Sequence, residues 1–380
     1  MNGVHGSADR AQPARRPRLG GRAQSVPLVA RPQGPMLWIG AAAFIALTAP
    51  LLSQGGFYGG LVTQMLIFAI AAMGLDFLGG FGGLVSFGQA SYLGLGAYGV
   101  AVSMRYGYGP WTAVGISLVV ILLVALIVGP LAVRVSGIGF VIMTLALGQI
   151  LFGLAFSWVG VSGGDNGLPI LSAPVLGPID LNKPSHMSFA VLAVFILSAW
   201  LLRTFVTSPF GLSLRGMMSN EQRLRTLGYA TRLHRYVAYV ISVFFGGLAG
   251  ILFAFSNGLI SPTAMDFHHN GVITIMAVLG GLGTLWGPVL GAVIIILFQQ
   301  YLSIYVDRWA TAMGVVFIAI MLFVPEGVWG LARKGARRLG RQLGRPAADG
   351  ATTRALSAEA REPHRDGQND GSGDEAEVRA

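Results

Sequence analysis

Ser208-Pro-Phe-Gly-Leu-Ser-Leu-Arg-Gly-Met-Met-Ser-Asn-Glu-Gln-Arg-Leu-Arg-Thr-Leu-Gly-Tyr-Ala-Thr-Arg-Leu-His-Arg235 is a polar island inside a stretch, Met36 to Leu331, that is otherwise almost wholly apolar. It carries Arg215, Arg223, Arg225, Arg232 and Arg235 against the single acid Glu221. Cytoplasmic loops of membrane proteins collect such an excess of arginine. Ser219 to Gln222 has the S-x-x-Q form of a capping box, and Gly228 sits where a helix would end. The spacing predicts a two-turn helix held outside the membrane, with Leu224 and Leu227 on one face. A small, capped, basic helix with an apolar face suits docking onto a soluble cytoplasmic partner.

The rest of the composition agrees with a membrane setting. Of 380 residues 53% are hydrophobic and 11% charged, where soluble domains carry about 25% charged residues. The expected fold is all-α, a polytopic integral membrane protein with about 8–10 transmembrane helices and broken or re-entrant Gly-rich segments. Between Met36 and Leu331 the acids are Asp76, Asp165, Asp180, Glu221, Asp266, Asp307 and Glu326. The net charge of +10 therefore lies in the tails and the island. There arginine sets topology and meets anionic lipid of the bilayer; it is no nucleic-acid footprint. The absence of cysteine excludes disulfides, thiolate metal sites and cysteine nucleophiles. Residues 1–35 read as a disordered, basic cytoplasmic tail, 36–331 as the membrane domain with a cytoplasmic loop at 207–235, and 332–380 as a disordered cytoplasmic tail. Met36 to Leu52 superficially resembles a signal peptide, but its length and the lack of a small-x-small cleavage site favour a retained first helix.

Apolar runs suited to spanning are 36–52, 57–77, 90–104, 111–133, 138–160, 188–206, 236–257, 272–305 and 310–330. With the basic N-terminus inside, the segment ending near Phe205 delivers the island to the cytoplasm, and Val161–Met187, with Lys183 its only lysine or arginine, falls outside. The run 272–305 is too long for one helix and is interrupted by Gly280-Gly-Leu-Gly-Thr-Leu-Trp-Gly-Pro288. A single crossing would put the C-terminal tail outside; two crossings, with the second starting at the Gly-Pro break, keep both termini inside and are preferred. A second stretch, Gly79 to Gly99, holds eight glycines together with Ser86, Gln89 and Ser91. Close helix packing and a re-entrant or unwound segment facing a translocation path both fit it.

Several tempting motifs are set aside. Gly94-Leu-Gly-Ala-Tyr-Gly99 matches G-x-G-x-x-G but lies in an apolar helix after no strand. No G-x-x-x-x-G-K-[ST] is present, so ATP is not hydrolysed here by a P-loop, and no catalytic residues, metal site or cofactor is expected. His268 and His269 point to different sides and fit a solvated loop. Asp76 is the one strong candidate for an ion-coupling acid; the competing role is a helix-end carboxylate bonded to backbone donors.

Four stretches then carry a resemblance: Gly74-Leu-Asp-Phe-Leu-Gly-Gly-Phe-Gly-Gly-Leu-Val-Ser-Phe-Gly-Gln-Ala-Ser-Tyr-Leu-Gly-Leu-Gly-Ala-Tyr98, Gly139-Phe-Val-Ile-Met-Thr-Leu-Ala-Leu-Gly-Gln149, Gly163-Gly-Asp-Asn-Gly-Leu168, and Ile260-Ser-Pro262 leading to Val278–Ala292. With the closing Pro325-Glu-Gly-Val-Trp-Gly330 they make the chain resemble the permease subunits of ABC importers for branched-chain amino acids, the LivM-like branch, which also includes urea and short-chain amide permeases. The resemblance covers roughly Gly74 to Leu331. It implies that the island is the loop whose short helix sits in a cleft of the ATPase, with Glu221 matching the loop's acid and Gly228 its glycine. Arg223 and Leu224 stand where small alanines are typical. The implied coupling-loop residues are Ser219, Glu221, Gln222, Leu224, Leu227 and Gly228.

The resemblance further implies cytoplasmic ATP-binding subunits, a second related permease and an extracytoplasmic solute-binding protein as partners in a bacterial inner membrane. Transport of leucine, isoleucine or valine would follow by alternating access, driven by ATP hydrolysis on the separate chain. A zwitterion needs donors for its carboxylate and acceptors for its ammonium, which broken helix ends can supply. Candidate path residues are Ser86, Gln89, Ser91, Thr144, Gln149 and Thr284, with helix–helix hydrogen bonding as the competing role for each. A urea or amide importer is the alternative within the class, and an ion-coupled secondary carrier relying on Asp76 the alternative outside it.

Overall fold

A computed structural model describes residues 56–170, 172–176, 179–305, 311, 314 and 327–330. The runs 36–52 and most of 310–330, and both expected tails, lie outside the described residues. The uninterrupted apolar run after Gly56 forms α1, Phe57–Asp76, buried along nearly its whole length, and it passes into a π-helical turn, Phe77–Phe81. Helices α2, Gln89–Arg105; α3, Pro110–Ala132; and α4, Ile138–Ser157, follow, then a short α5, Val159–Ser162. The two-residue strands β1, Leu168–Pro169; β2, Val175–Leu176; and β3, Ile179–Asp180, cross the next connection. There follow α6, Pro184–Thr207; α7, Pro209–Ser219; α8, Glu221–Thr226; α9, Thr231–Asn257; β4, Leu259–Ile260; α10, Phe267–Gly280; and α11, Gly287–Tyr305, with short 3-10 turns at Gly164–Asn166 and Pro262–Met265. Among the described residues the spans Phe57–Phe81, α3, α4, α6 and α9 are long and apolar enough to cross a bilayer, and α11 is a shorter apolar helix.

Contacts along the helices fix their relative directions. Thr63 donates to Ser188 Oγ (2.7 Å) and the rings of Phe77 and Phe205 meet at 6.3 Å, so α1 and α6 run parallel. Phe68 meets Phe253 while Gly74 meets Phe245, so α9 runs antiparallel to α1. Tyr236 donates to the Leu126 carbonyl and Gly247 abuts Ile121, which sets α3 antiparallel to α9. The polar island and the foot of α1 therefore share one end of the bundle. The β1–β4 pair, Leu168 opposite Ile260 and Pro169 opposite Leu259, closes the other.

The glycine-dense region is both packed and unwound. Between the π-helical turn and Gln89 the chain has no regular structure, and α2 begins beside the middle of α4: Phe87 N–H donates to Thr144 Oγ1 (3.0 Å), and Gly148 lies against Ser91. Thr144 stands six residues into α4, so the unwound segment reaches about 9 Å up the bundle. Irregular backbone at that depth survives only where it is buried in protein or lines a watery cavity. The G-x-G-x-x-G match lies within α2, where Gly94 faces Met265, Gly96 faces Gly247 and Gly99 faces Ser117. These are packing contacts between helices.

The long run 272–305 divides as the Gly-Pro break implies, into α10 and α11 with Gly281–Trp286 between them. Gly280 packs on Gly287 and Gly291 on the Met276 carbonyl, so the two helices form an antiparallel hairpin. The first arm starts earlier than the apolar run: Asp266 accepts from His269 N–H (2.8 Å) and caps α10. His268 and His269 thus sit in a helical first turn rather than a loop. No cluster of three metal-ligating side chains occurs among the described residues.

The α2–α9 crossing generates a prediction. A methyl group on Gly250 would fall on the Leu93 carbonyl, whereas one on Gly115 meets open space. Forced overpacking costs about 1–3 kcal/mol. Gly250→Ala is expected to lower several-fold the monodisperse chain recovered from membranes in mild detergent, with Gly115→Ala matching the parent. Equal recovery of the two variants would show that this crossing is not tightly packed.

Candidate functional site

The island folds as two helices, not one. Pro209 sits in the first turn of α7, and Ser208 accepts from Gly211 N–H, so the chain leaves α6 and turns at once. α7 buries Gly211, Leu214 and Met217, one face of a 3.6-residue period, and exposes Leu212 and Met218. α8 then starts at Glu221, and the expected capping box is corrected: Asn220, not Ser219, is the N-cap, accepting from Arg223 N–H at 3.0 Å. Ser219 instead donates to the Arg215 carbonyl inside the end of α7. Asn is as good an N-cap as Ser, and it stands one residue closer to the turn. Gln222 is exposed.

A second correction concerns the apolar face. Leu224 packs against Gly216 of α7, while Leu227 follows the last helical residue and is 68% exposed. The two leucines therefore face different surroundings. Gly228 does end the helix as the sequence implies: its φ is +86°, and its N–H donates to the Arg225 carbonyl.

Glu221 ties this loop to α9. Its Oε1 accepts from Arg225 (2.8 Å) and Thr231 Oγ1 (3.2 Å), and its Oε2 accepts from Arg235. Arg225 also donates to Thr231 Oγ1 at 3.1 Å. Exposed pairs are worth little singly, but this group is a network joining the start of α8 to the first turns of α9. Arg215, on the buried side of α7, lies over the Phe81 ring at 4.9 Å, and burial holds its guanidinium pKa below the ordinary value.

Phe81 belongs to the π-helical turn that follows Asp76, and Asp76 reaches the hairpin. Its Oδ1 accepts from Gly283 N–H (2.5 Å) and its Oδ2 from Leu285 N–H (2.9 Å). Asp76 is fully buried. Gly80, one turn on, lies so close to Gly283 that any side chain there would collide with it. Leu285 has φ +58°, the left-handed region that costs a bulky residue about 1–3 kcal/mol. Thr284 closes the break from within, donating to the Gly281 carbonyl (2.8 Å) and accepting from Gly287 N–H (2.9 Å). Gly327 packs on Gly281, which brings the segment Gly327–Trp329 to the same place.

Of the other polar positions singled out in the sequence, Gln89, Ser91 and Thr144 come together at the start of α2. Gln89 donates to the carbonyls of Ala71 (3.2 Å) and Ser242 (3.1 Å), joining α1 to α9. Ser91 donates to the Met265 carbonyl (3.3 Å) and accepts from Asn270 Nδ2 (3.2 Å), while Thr144 donates to Val141 O (3.0 Å). Ser86 accepts from Gly88 N–H (3.4 Å). Gln149 lies further along α4, with its Nε2 buried and without a hydrogen-bond partner among the described residues. Sequence reasoning passed over Asn270, whose Oδ1 accepts the Ala90 N–H at the start of α2 (2.8 Å), and the Tyr92–Tyr239 hydroxyl pair. An amide in the apolar helix Phe267–Gly280 was the available signal.

Comparison with known proteins places this arrangement. The profile of the family described as branched-chain amino acid transport system / permease component matches residues 57–325. The chain is 23% identical over 321 residues to the high-affinity branched-chain amino acid transport system permease protein LivM of Escherichia coli (strain K12), covering 78% of this chain and 75% of that protein. It is 29% identical over 227 residues to the autoinducer 2 import system permease protein LsrC of Salmonella typhimurium, covering 55% and 63%. It is 33% identical over 138 residues to the guanosine ABC transporter permease protein NupQ of Bacillus subtilis, covering 34% and 40%. No solved structure matches it. The family match takes in every helix from α1 to α11, and the chain therefore belongs to the branched-chain amino acid transport permease family, as a LivM-like permease of the ABC transporter class.

Proposed function

We propose that this chain is the membrane-spanning subunit of an ABC importer for leucine, isoleucine and valine, working by alternating access driven by ATP hydrolysis on a separate chain. The observation that carries the substrate is the likeness to LivM over three quarters of both proteins. The relatives named for autoinducer 2 and guanosine align over smaller shares of the chain. The island, 207–235, is the loop that docks on cytoplasmic ATP-binding subunits. Leu227, Tyr229 and Leu233 offer exposed apolar surface there. A second permease and an extracytoplasmic solute-binding protein complete the assembly in a bacterial inner membrane, with residues 1–35 and 332–380 in the cytoplasm. Against an ion-coupled carrier stands Asp76, whose two oxygens each accept a backbone N–H. Ser86, Gln89, Ser91, Thr144, Gln149 and Thr284 remain proposed path residues, and Gln149 is the one with an amide donor left over.

Uptake of labelled leucine, urea and guanosine, compared in cells with and without the gene, tests the substrate. Leucine uptake is expected to fall at least tenfold while the other two hold. A fall in urea or guanosine uptake alone would keep the architecture and overturn the substrate.

The loop is tested by three substitutions. Proline has φ near −65° and does not fit the +86° of Gly228. Glu221→Ala removes the acceptor shared by Arg225, Thr231 and Arg235. Gly228→Pro and Glu221→Ala are each expected to cut ATP-dependent uptake at least tenfold while the chain still inserts. Leu227→Asp should leave recovery of the chain unchanged and reduce co-purification of the ATP-binding subunits. ATP-dependent uptake persisting in all three variants would overturn the docking role.

A further inference from the structure

Two separate attachments converge on residues 76–83. From one side α7 leans on the π-helical turn: Arg215 covers the Phe81 ring, Leu214 lies against Gly82, and Met218 against Gly83. From the other side Asp76 holds the Gly283 and Leu285 N–H groups, and Gly80 abuts Gly283. α7 in turn carries α8 through the Leu224–Gly216 contact. The break is held in a shape its own sequence disfavours, because Leu285 sits at φ +58°. A π-helical turn is likewise an uncommon element that tends to occur at functional places.

We propose that Asp76 is a positioning residue, a latch that fixes the Gly281–Trp286 break to the π-helical turn, so that displacement of α7 and α8 is transmitted to the α10–α11 hairpin. This rests on the reading of the island as the ATPase-docking loop. When α7 moves, Phe81 to Gly83 move with it, and the turn carries Asp76. The hairpin follows as long as the two N–H groups stay on the side chain. Where they part, Leu285 is free to leave the left-handed region, which gives the break a second resting shape. Transmission between distant sites requires such an element with two arrangements. Gly327, packed on Gly281, places the Gly327–Trp329 segment where it would feel the change.

The chain contains no cysteine, so a single introduced thiol reports one position. Leu282→Cys places it in the break, where the native side chain is 36% exposed. Tyr106→Cys, exposed after the end of α2, is the control for insertion and folding. The measurement is the rate of labelling by a small water-soluble maleimide, on the full chain co-expressed with its partner subunits, with and without ATP and vanadate. It is made with Asp76 intact, in Asp76→Ala, in Asp76→Asn (which keeps the volume and one acceptor oxygen) and in Arg215→Ala. With Asp76 intact, nucleotide is expected to change labelling at 282 at least threefold. Asp76→Ala should raise the nucleotide-free rate at 282 about fivefold or more and abolish the nucleotide response, with Asp76→Asn between the two. Arg215→Ala should weaken the response and leave the nucleotide-free rate near the parent's. Throughout, labelling at 106 stays constant; if Asp76→Ala disturbs it, Asp76→Asn carries the comparison. Equal rates at 282 in all Asp76 variants would overturn the latch. A nucleotide response that survives in both Asp76 variants would overturn the transmission. Loss of the response with Asp76 intact would instead overturn the docking-loop reading and the transmission with it, while the rate difference between Asp76 variants would still uphold the latch.

Discussion

The backbone N–H groups of Gly283 and Leu285 end on the two side-chain oxygens of Asp76, and this contact decides whether a broken helix can exist where the chain puts one. In a bilayer an unpaired backbone donor costs several kcal/mol, since no water replaces the lost partner. An ionised acid buried without partners is more unfavourable still. Each group removes the other's penalty, so neither is expected at this place alone. The same contact explains Gly80, because a side chain there would hold Gly283 away from Asp76. It explains Leu285 as well, whose left-handed backbone persists only where surrounding bonds over-determine it.

The start of α2 repeats this logic with neutral groups. The helix begins part-way up the bundle, and its first donors find partners on other helices: Ala90 N–H on Asn270, Phe87 N–H on Thr144. Gln89 and Ser91 then spend their own hydrogen bonds on the carbonyls of Ala71, Ser242 and Met265. Apart from the Gln149 amide, the side chains that look from the sequence like solute ligands are in this state bonded to protein. A solute that uses them has to displace bonds already made, so its passage requires these helices to move. That demand suits a transporter that changes shape, and it makes the few irregular segments the natural places for the change.

The positions of the helices were legible because apolar length is a local property. The runs 57–77, 111–133, 138–160 and 236–257 each correspond to one helix within a few residues, and the Gly-Pro break was visible because Gly and Pro at membrane depth need a reason. α10 begins before its apolar run because Asp266 caps it, a signal present in the sequence and read as loop. What was not legible is pairing. Asp76 and Gly283 are separated by 207 residues, and no local pattern connects them. The cap of α8 failed differently: Ser219 matched a four-residue pattern, while Asn220 had equal capping power and better placement. Pattern alone does not decide between adjacent caps, because the choice depends on where α7 stops.

The closure of the island on itself also limits what a partner can recognise. Glu221 is the one acid of the island, yet its oxygens already accept from Arg225, Thr231 and Arg235. Its role in this state is to hold α8 against α9; on the proposed reading, a push on the loop then becomes a push on a long helix rather than a local rearrangement. The surface left outward is apolar at Leu227, Tyr229 and Leu233, with exposed Arg223 and Arg232 beside it. On the proposed reading, the docking cleft must therefore be apolar at its floor and acidic at its rim. Charge on that rim would select the partner and speed its arrival, while the buried leucine and tyrosine contacts would set how long it stays.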